Sequence, residues 1–386
     1  MTHPFIRSYK KLKQRKILVI SAGGELSGVQ ALYFIAQDDA SWEIVSNAFV
    51  PYPPRIGAII ESSKRQPLAA ADLGWLEYKV TLLFAECAMS ALKSVPRGLR
   101  KPHLAVLNQL SLWKGPTGEN EPLPLWNLSL GEPQHVAAVL DTPVISGLVR
   151  HHLLAGGRGA VPMLAGNLSI ARRFKGIVAF FNIGLVSRMT VLDPGSVARC
   201  IIDSDTGPGM YCINRCAREI NCPDGFDRDG SAAAQGTVNA AVLDSLANSP
   251  WFLKEAPKEA ATELFDQLMQ KGEIMALPPN DKMATVTALT ARTIYDFFRR
   301  EYHEPALPEV IIISGGGVNN QSLLKFLSAY FSHAPLTPCE QIGIPLEMRM
   351  PLAMGLSVDA VLREKAALWE DGKIPRPDLA GSLSMP

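Results

Sequence analysis

The sequence predicts an α/β protein of two domains, and three observations support this. Short apolar runs rich in β-branched residues alternate with stretches of helical periodicity along the chain. Several of these runs end in glycine-rich turns, as strands of an α/β sheet commonly do. The length of 386 residues favours two domains of roughly 150 residues or more. Because 47% of the residues are hydrophobic, both domains can bury a core, which excludes disorder as the dominant state.

The predicted elements follow the chain in order. In the first lobe, residues 1–172, strands are expected at 16–21, 42–50, 103–112 and 142–149, helices at 69–94 and 133–140, and a Pro- and Gly-rich loop at 114–125. In the second lobe, residues 173–369, strands are expected at 176–182, 189–192 and 310–314, and helices at 211–220, 256–271, 282–301, 321–331 and 352–368. Residues 370–386 are expected to form a loose tail.

The charge balance excludes two classes of partner. Lys and Arg number 38 and Asp and Glu 37, giving a net charge of +1. Nucleic acid and anionic membranes both require a concentrated basic field, so neither is expected. The basic leader at residues 10–16 is interpreted as a solvated tail. The apolar run that follows is too short for a secretory signal, and no run approaches the roughly 18 residues of a membrane helix.

The cysteines predict a cytoplasmic protein with reduced thiols. Three of the six cluster at Cys212, Cys216 and Cys222, and the first two share a helix face. A closed zinc site needs four ligands, and no convincing fourth lies near in sequence. We therefore predict no metal bound by this cluster.

Four glycine clusters favour a nucleotide held between two lobes. They are Gly23-Gly24 with Gly28, Gly156-Gly157-Arg158-Gly159, Asp205-Thr206-Gly207-Pro208-Gly209 and Gly315-Gly316-Gly317-Val318-Asn319-Asn320. Turns of this kind bring backbone N–H groups close to phosphate oxygens. Each cluster alone is equally explained by the backbone needs of a turn. No Walker A lysine motif and no complete G-x-G-x-x-G is present.

The order of motifs resembles the anhydro-N-acetylmuramic acid kinases and their levoglucosan kinase relatives, from about residue 16 to about residue 368. Residues 205–209 resemble that family's DTGPGN, residues 226–230 with Ala233 and Gly236 its YDxDGxxAxxG, and residues 314–320 its CGGGAxN. Residues 284–291, 131–133 and 156–160 resemble its DxxATLTxxTA, G(D/N)P and GGQGAP. The resemblance implies two actin-like (ribonuclease H-like) lobes with a nucleotide and sugar cleft between them. It also implies ATP and Mg²⁺ as cofactors, a small sugar as substrate and a homodimer.

Residue roles are carried over from the matching motifs. The resemblance implies nucleotide binding by Gly23, Gly24, Gly28, Asn182, Gly184, Gly207, Gly209, Gly315, Gly316, Gly317 and Asn320. It implies substrate binding by Gly156, Gly157, Arg158 and Asp227, and a catalytic role for Asp205 on the phosphate or Mg²⁺ side. For Asp205 and Asp227 a structural turn remains the alternative.

Several family positions have changed in this chain. The family's catalytic aspartate, the general base that activates water against the anhydro ring, aligns with His152. The first phosphate loop, SGTSxDGxD in the family, has lost both aspartates and gained Glu25. The motifs HGQTxxH, NIGGIAN and KSTGRE read here as residues 108–113, 182–188 and 258–263, and the family's late glutamate aligns with Met350. Leu185 replaces the second glycine of NIGGIAN, and its bulk obstructs close approach to a phosphate.

Two functions therefore stay open. The first is an ATP-dependent kinase that opens an anhydro-sugar ring and phosphorylates the 6-position, impaired in catalysis and serving amino-sugar metabolism and peptidoglycan recycling. The second is a catalytically degenerate homologue that acts as a ligand- or partner-binding module. His152 can serve as a base near neutral pH, but it supplies no fixed negative charge opposite an oxocarbenium centre. His151 and His152 are expected on opposite faces of a strand, so a shared metal is not predicted.

Overall fold

The computed structural model describes residues 3–22, 28–38, 41–63, 66–115, 126–154, 159, 161–260, 262–364 and 381–386. The chain divides into two compact units, one formed by residues 1–170 and 348–386 and the other by residues 171–347. Residues 348–364, which the sequence predicts to lie in the second lobe, thus group with the first unit. None of the described helices is long and apolar enough to cross a membrane.

The bounds of the strands and helices are as follows. The strands are β1 (Gln14–Ala22), β2 (Gly28–Gln37), β3 (Trp42–Pro51), β4 (Leu104–Asn108), β5 (Leu110–Gly115), β6 (Trp126–Leu130), β7 (Val144–Ser146), β8 (Val178–Ile183), β9 (Ser187–Asp193), β10 (Arg199–Gly207), β11 (Val310–Ser314), β12 (Leu336–Pro338) and β13 (Ser382–Ser384). The helices are α1 (Pro4–Tyr9), α2 (Pro54–Ser63), α3 (Ala70–Lys93), α4 (Pro133–Leu140), α5 (Leu148–Leu154), α6 (Leu164–Ala171), α7 (Tyr211–Glu219), α8 (Ser231–Ala234), α9 (Ala240–Ala247), α10 (Thr262–Met269), α11 (Gly272–Met275), α12 (Pro279–Glu301), α13 (Gln321–Tyr330) and α14 (Arg349–Leu362).

The first unit contains a six-stranded sheet in the order β13-β7-β4-β1-β2-β3. Strands β1, β2 and β3 pair antiparallel, whereas β1, β4 and β7 run parallel. Leu18 and Ile20 belong to a core that includes buried side chains of α3. Val19 points to the other face, where it lies against Gly355 of α14. Burial on both faces explains why this strand reads as an unbroken apolar run.

The second unit repeats this arrangement in a five-stranded sheet of order β10-β9-β8-β11-β12. Strands β8, β9 and β10 form an antiparallel meander, and β8, β11 and β12 run parallel. In both units the first strand of the sheet lies between its antiparallel hairpin partner and a later parallel strand. This shared topology confirms the predicted pair of actin-like (ribonuclease H-like) lobes.

Several local predictions were wrong. The predicted strand at 142–149 is only three residues long (β7), and α5 follows it at once. The helix predicted for 256–271 begins only at Thr262, and residues 103–112 form two strands instead of one. The strands β2 and β10 were not predicted. The C-terminal tail includes β13, which pairs antiparallel with β7. Residues 116–125 and 365–380 lie outside the described residues.

Candidate active site

Within the second unit, the DTGPG turn packs on the turn between β8 and β9. Gly209 has φ +50°, and a Cβ added there would lie 2.2 Å from the carbonyl oxygen of Gly184. The N–H of Met210 donates to that same carbonyl at 2.7 Å. A Cβ at Gly207 would lie 2.3 Å from the Thr293 hydroxyl on α12. Both glycines are therefore required by close packing inside the unit, whatever ligand the turn binds.

The triple glycine after β11 reaches the same strand end. Gly315 has φ +87°, and a Cβ there would lie 2.6 Å from the carbonyl oxygen of Ile183. A Cβ at Gly317 would lie 2.3 Å from the Ile183 side chain. At Gly316, by contrast, an added Cβ meets nothing within 4 Å. Of these three glycines, Gly316 is thus the one that packing within the unit does not explain.

The FDRDG segment contacts the start of α13. Both carboxylate oxygens of the buried Asp227 accept backbone N–H groups of α8, at 2.8 and 3.1 Å. The amide oxygen of Asn320 caps α13 by accepting from the N–H of Leu323 at 2.9 Å, whereas its buried amide nitrogen has no hydrogen-bond partner among the described residues. A Cβ at Gly230 would lie 2.5 Å from that oxygen. The contacts assign Asp227 a structural role as a helix cap, and its predicted substrate contact stays a prediction.

Asp205 lies at the centre of a charged cluster on one face of β9 and β10. In the strand register Asp205 is opposite Arg188, and Asp203 is opposite Thr190. The guanidinium of Arg188 donates to Asp205 at 3.2 Å and to both oxygens of Asp203 at 3.2 and 2.7 Å. The Thr190 hydroxyl also donates to Asp203, at 2.7 Å. Alternate residues on paired strands share a face, which brings the four side chains together.

The segment before α10 covers this cluster along the edge strand β10. The N–H of Ala260 donates to the second carboxylate oxygen of Asp205 at 2.9 Å, and the carbonyl of Lys258 accepts from the Asp205 N–H at 3.0 Å. Burial raises the pKa of Asp205 to about 6, and nearby Glu259 acts in the same direction. The Arg188 guanidinium and the Ala260 N–H oppose that rise. The Arg188 guanidinium and the Ala260 N–H therefore stabilise the ionised form of Asp205, which burial disfavours.

The oxygen atoms at this cluster do not fit a magnesium ion. Mg²⁺ takes carboxylate and water oxygens in octahedral geometry. Here each oxygen of Asp203 and Asp205 already accepts a hydrogen bond, and a cationic guanidinium joins the two carboxylates. Over the described ranges, no group of three or more His, Cys, Asp or Glu side chains is placed to hold a metal.

In the first unit, His152 is buried on α5, with 4% of its surface exposed. Neighbouring residues on a helix project about 100° apart, so the predicted strand-like opposition of His151 and His152 was wrong. His151 lies toward the C-terminal strand, where its Nε2 is 2.9 Å from the Ser382 hydroxyl.

Gly28 starts β2, where a Cβ would lie 2.2 Å from the Val50 carbonyl oxygen. The predicted site residues Gly23, Gly24, Gly156, Gly157 and Arg158 lie outside the described residues.

Other predicted residues sit at strand ends of the second unit. Asn182 accepts from the Ser314 hydroxyl of the neighbouring β11 at 3.2 Å. Gly184 has room for a side chain, since an added Cβ would be 3.5 Å from its nearest neighbour. The nucleotide roles of these residues stay predictions. The sequence analysis did not predict a role for Arg188, although this arginine ends the stretch that resembles NIGGIAN.

The repeated sheet topology and the glycine turns at strand ends define an α/β protein of the actin-like class. The model of the anhydro-N-acetylmuramic acid kinase family matches residues 15–364. The chain belongs to the anhydro-N-acetylmuramic acid kinase family.

Individual relatives agree with the family match. An anhydro-N-acetylmuramic acid kinase of Gloeobacter violaceus is 29% identical over 80% of this chain and 81% of the relative. That of Salinibacter ruber is 27% identical over 97% of both chains. Among solved structures, the activator of 2-hydroxyisocaproyl-CoA dehydratase from Clostridium difficile with bound ADPNP is similar at a TM-score of 0.42 and 10% identity, covering 91% of this chain and 96% of that one.

Proposed function

We propose that the protein is an ATP-dependent sugar kinase of the anhydro-N-acetylmuramic acid kinase family with an impaired catalytic step. The observation that carries the kinase proposal is the family match over residues 15–364. ATP is the proposed phosphoryl donor, and an anhydro-sugar is the proposed acceptor, opened at its ring and phosphorylated at the 6-position. Amino-sugar metabolism and peptidoglycan recycling in the cytoplasm, and a homodimer, are proposed on the same basis.

The proposed impairment of catalysis rests on the residue at the position of the family's general base. His152 stands where the family has its catalytic aspartate, and it is a buried residue of α5. A neutral imidazole can accept a proton, but it adds no negative charge opposite a developing oxocarbenium ion. A positioned general base typically contributes about 10²–10⁴ in rate. We therefore expect slow turnover of 1,6-anhydro-N-acetylmuramic acid by the unmodified chain.

The test is a phosphorylation assay with ATP and 1,6-anhydro-N-acetylmuramic acid. The His152→Asp variant restores the family's carboxylate, and His152→Asn is the matched control that restores size without charge. We expect His152→Asp to raise turnover by about 10²–10⁴ and His152→Asn to leave it low. Fast turnover by the unmodified chain that is abolished in His152→Ala would refute the impairment.

Calorimetry with ATP separates the kinase proposal from the degenerate alternative. No heat of binding at millimolar ATP would contradict the kinase and favour a homologue that binds another ligand or a partner. This second function is supported by His152, which by the motif resemblance takes the position of the family's catalytic base.

A further inference from the structure

Arg188 departs from the family motif at a position next to the site. The stretch Asn182–Arg188 matches the family's NIGGIAN, so that Arg188 replaces the motif's final asparagine. A neutral amide has thus become a guanidinium with a permanent positive charge. The Arg188 side chain has 17% of its surface exposed, and the Asp203 and Asp205 side chains have 15% and 13% exposed.

The geometry of Arg188 is that of a fixed counter-ion for two carboxylates. Nε and Nη2 form a two-point contact with Asp203, at 3.2 and 2.7 Å, and Nη1 reaches Asp205 at 3.2 Å. Two-point pairing of arginine with a carboxylate is stronger and more directional than a single charged contact. The strand register places Arg188 directly opposite Asp205, so the contact is imposed by the sheet and needs no ligand.

A divalent cation at the same carboxylates would have to displace this guanidinium. Asp205 has its other oxygen on the Ala260 N–H, and Asp203 also accepts from the Thr190 hydroxyl. A divalent ion that bound beside the retained guanidinium would be repelled by it, because at a few ångströms the repulsion in a partly buried site exceeds that in water several-fold. Removing the arginine would instead leave two nearby carboxylates without their counter-charge, which is an arrangement that attracts a metal ion.

We propose that Arg188 is the resident cation of this face and excludes a protein-bound divalent metal from Asp203 and Asp205. The exclusion of metal stands on the ion-pair geometry alone, whereas its consequence for nucleotide rests on the proposed kinase function. That consequence is that a nucleoside triphosphate binds the protein without help from a metal held by these aspartates. Under the proposed function, Arg188 then supplies one fixed positive charge on the phosphate side in place of a protein-bound divalent ion, which adds to the impairment.

The test is a titration with Mn²⁺, followed by the electron paramagnetic resonance signal of the free ion. We expect no binding to the unmodified chain up to about 1 mM, and one bound Mn²⁺ in Arg188→Asn, lost again in Arg188→Asn with Asp205→Asn. Arg188→Lys keeps the charge and is expected to bind none. Stoichiometric binding by the unmodified chain that Asp205→Asn removes would overturn the proposal, and so would a folded Arg188→Asn that binds no Mn²⁺. If Arg188→Asn does not fold, the unmodified chain and Arg188→Lys decide the outcome, since Mn²⁺ bound through Asp205 in either overturns the proposal.

The nucleotide arm is measured separately. In the unmodified chain we expect Mg²⁺ to change the Kd for ATP by less than about threefold, and in Arg188→Asn by tenfold or more, roughly 1.4 kcal/mol. Strong Mg²⁺ dependence in the unmodified chain would overturn the consequence for nucleotide. Failure of ATP to bind at all would contradict the proposed function and leave the Mn²⁺ result to decide the role of Arg188.

Discussion

Substituting Gly209 tests whether the DTGPG turn is held by packing within the second unit. Gly209 has φ +50°, and an alanine Cβ would lie 2.2 Å from the Gly184 carbonyl oxygen and 2.7 Å from that of Leu185. The left-handed conformation costs an alanine about 1–2 kcal/mol. Forcing a methyl group against backbone costs typically 1–3 kcal/mol more. Gly209→Ala should therefore lower the free energy of unfolding by about 2–5 kcal/mol.

The matched control is Gly184→Ala, on the other side of the same contact. Its Cβ would meet the Asn182 side chain at 3.5 Å and the Val186 carbonyl at 3.6 Å, which are ordinary van der Waals distances. We expect a change within about 0.5 kcal/mol. Urea denaturation followed by circular dichroism gives both values from the midpoint and slope. Equal stability of the two variants would refute the packing explanation, and the turn's glycines would then have to be explained by ligand approach.

Three further predictions concern other parts of the chain. Gly316→Ala, where an added Cβ meets nothing within 4 Å, should leave urea stability unchanged, whereas Gly315→Ala should cost about 2 kcal/mol or more; comparable losses would contradict this. Asp359→Ala should cost about 1.5–3 kcal/mol, because the buried Arg15 loses the two-point contact with Asp359, at 3.0 and 3.2 Å, and keeps the 3.1 Å contact with the carboxylate of Asp38. The exposed Asp244→Ala is the control with little effect. Burial lowers the pKa of Lys258 to about 8, so between pH 8 and 10.5 the unfolded chain holds a proton that the folded chain has released. The unfolding free energy of the unmodified chain relative to Lys258→Met should therefore rise across that window, by about 1 kcal/mol after solvent screening, and a flat difference between the two pH profiles would refute it.

The strands that could be predicted are those whose residues mark them locally. Val310–Ser314 is buried throughout and runs into glycine, and its predicted bounds are those observed. Gly28–Gln37 is buried except at Gln30 and Gln37, but a mostly apolar run does not distinguish a strand from a buried helix. At His151 and His152 the sequence predicted extended backbone, whereas the structure has a short helix directly after a three-residue strand. Local pattern alone carries too little information at such a junction.

The charged cluster could not be predicted because it depends on strand register. Arg188 and Asp205 are 17 positions apart, and they are opposite each other because the register of β9 and β10 shifts between Cys200 and Ile202. A second shift follows between Asp205 and Gly207. A shift of one residue turns a side chain to the opposite face of the sheet. The sequence indicates which residues are charged, whereas the bulges decide which of them become partners.

Residues that match the family's motifs and residues that differ from them carry information about different properties of this chain, its fold and its chemistry. Gly209 and Gly315 match the family's motifs, and both are required by backbone contacts within the second unit, so these matches are evidence of fold. By the motif resemblance, His152 and Arg188 stand where the family has other residues, and each is proposed to change the charge available for chemistry. A backbone contact this close leaves no room for a side chain, whether or not the chain is an active enzyme. The position of a charged side chain, by contrast, is set by its ion-pair partners or by the ligand that it binds. The glycine motifs are therefore evidence for the architecture, and the proposed impairment of catalysis is tested by substitutions at residues 152, 188 and 205.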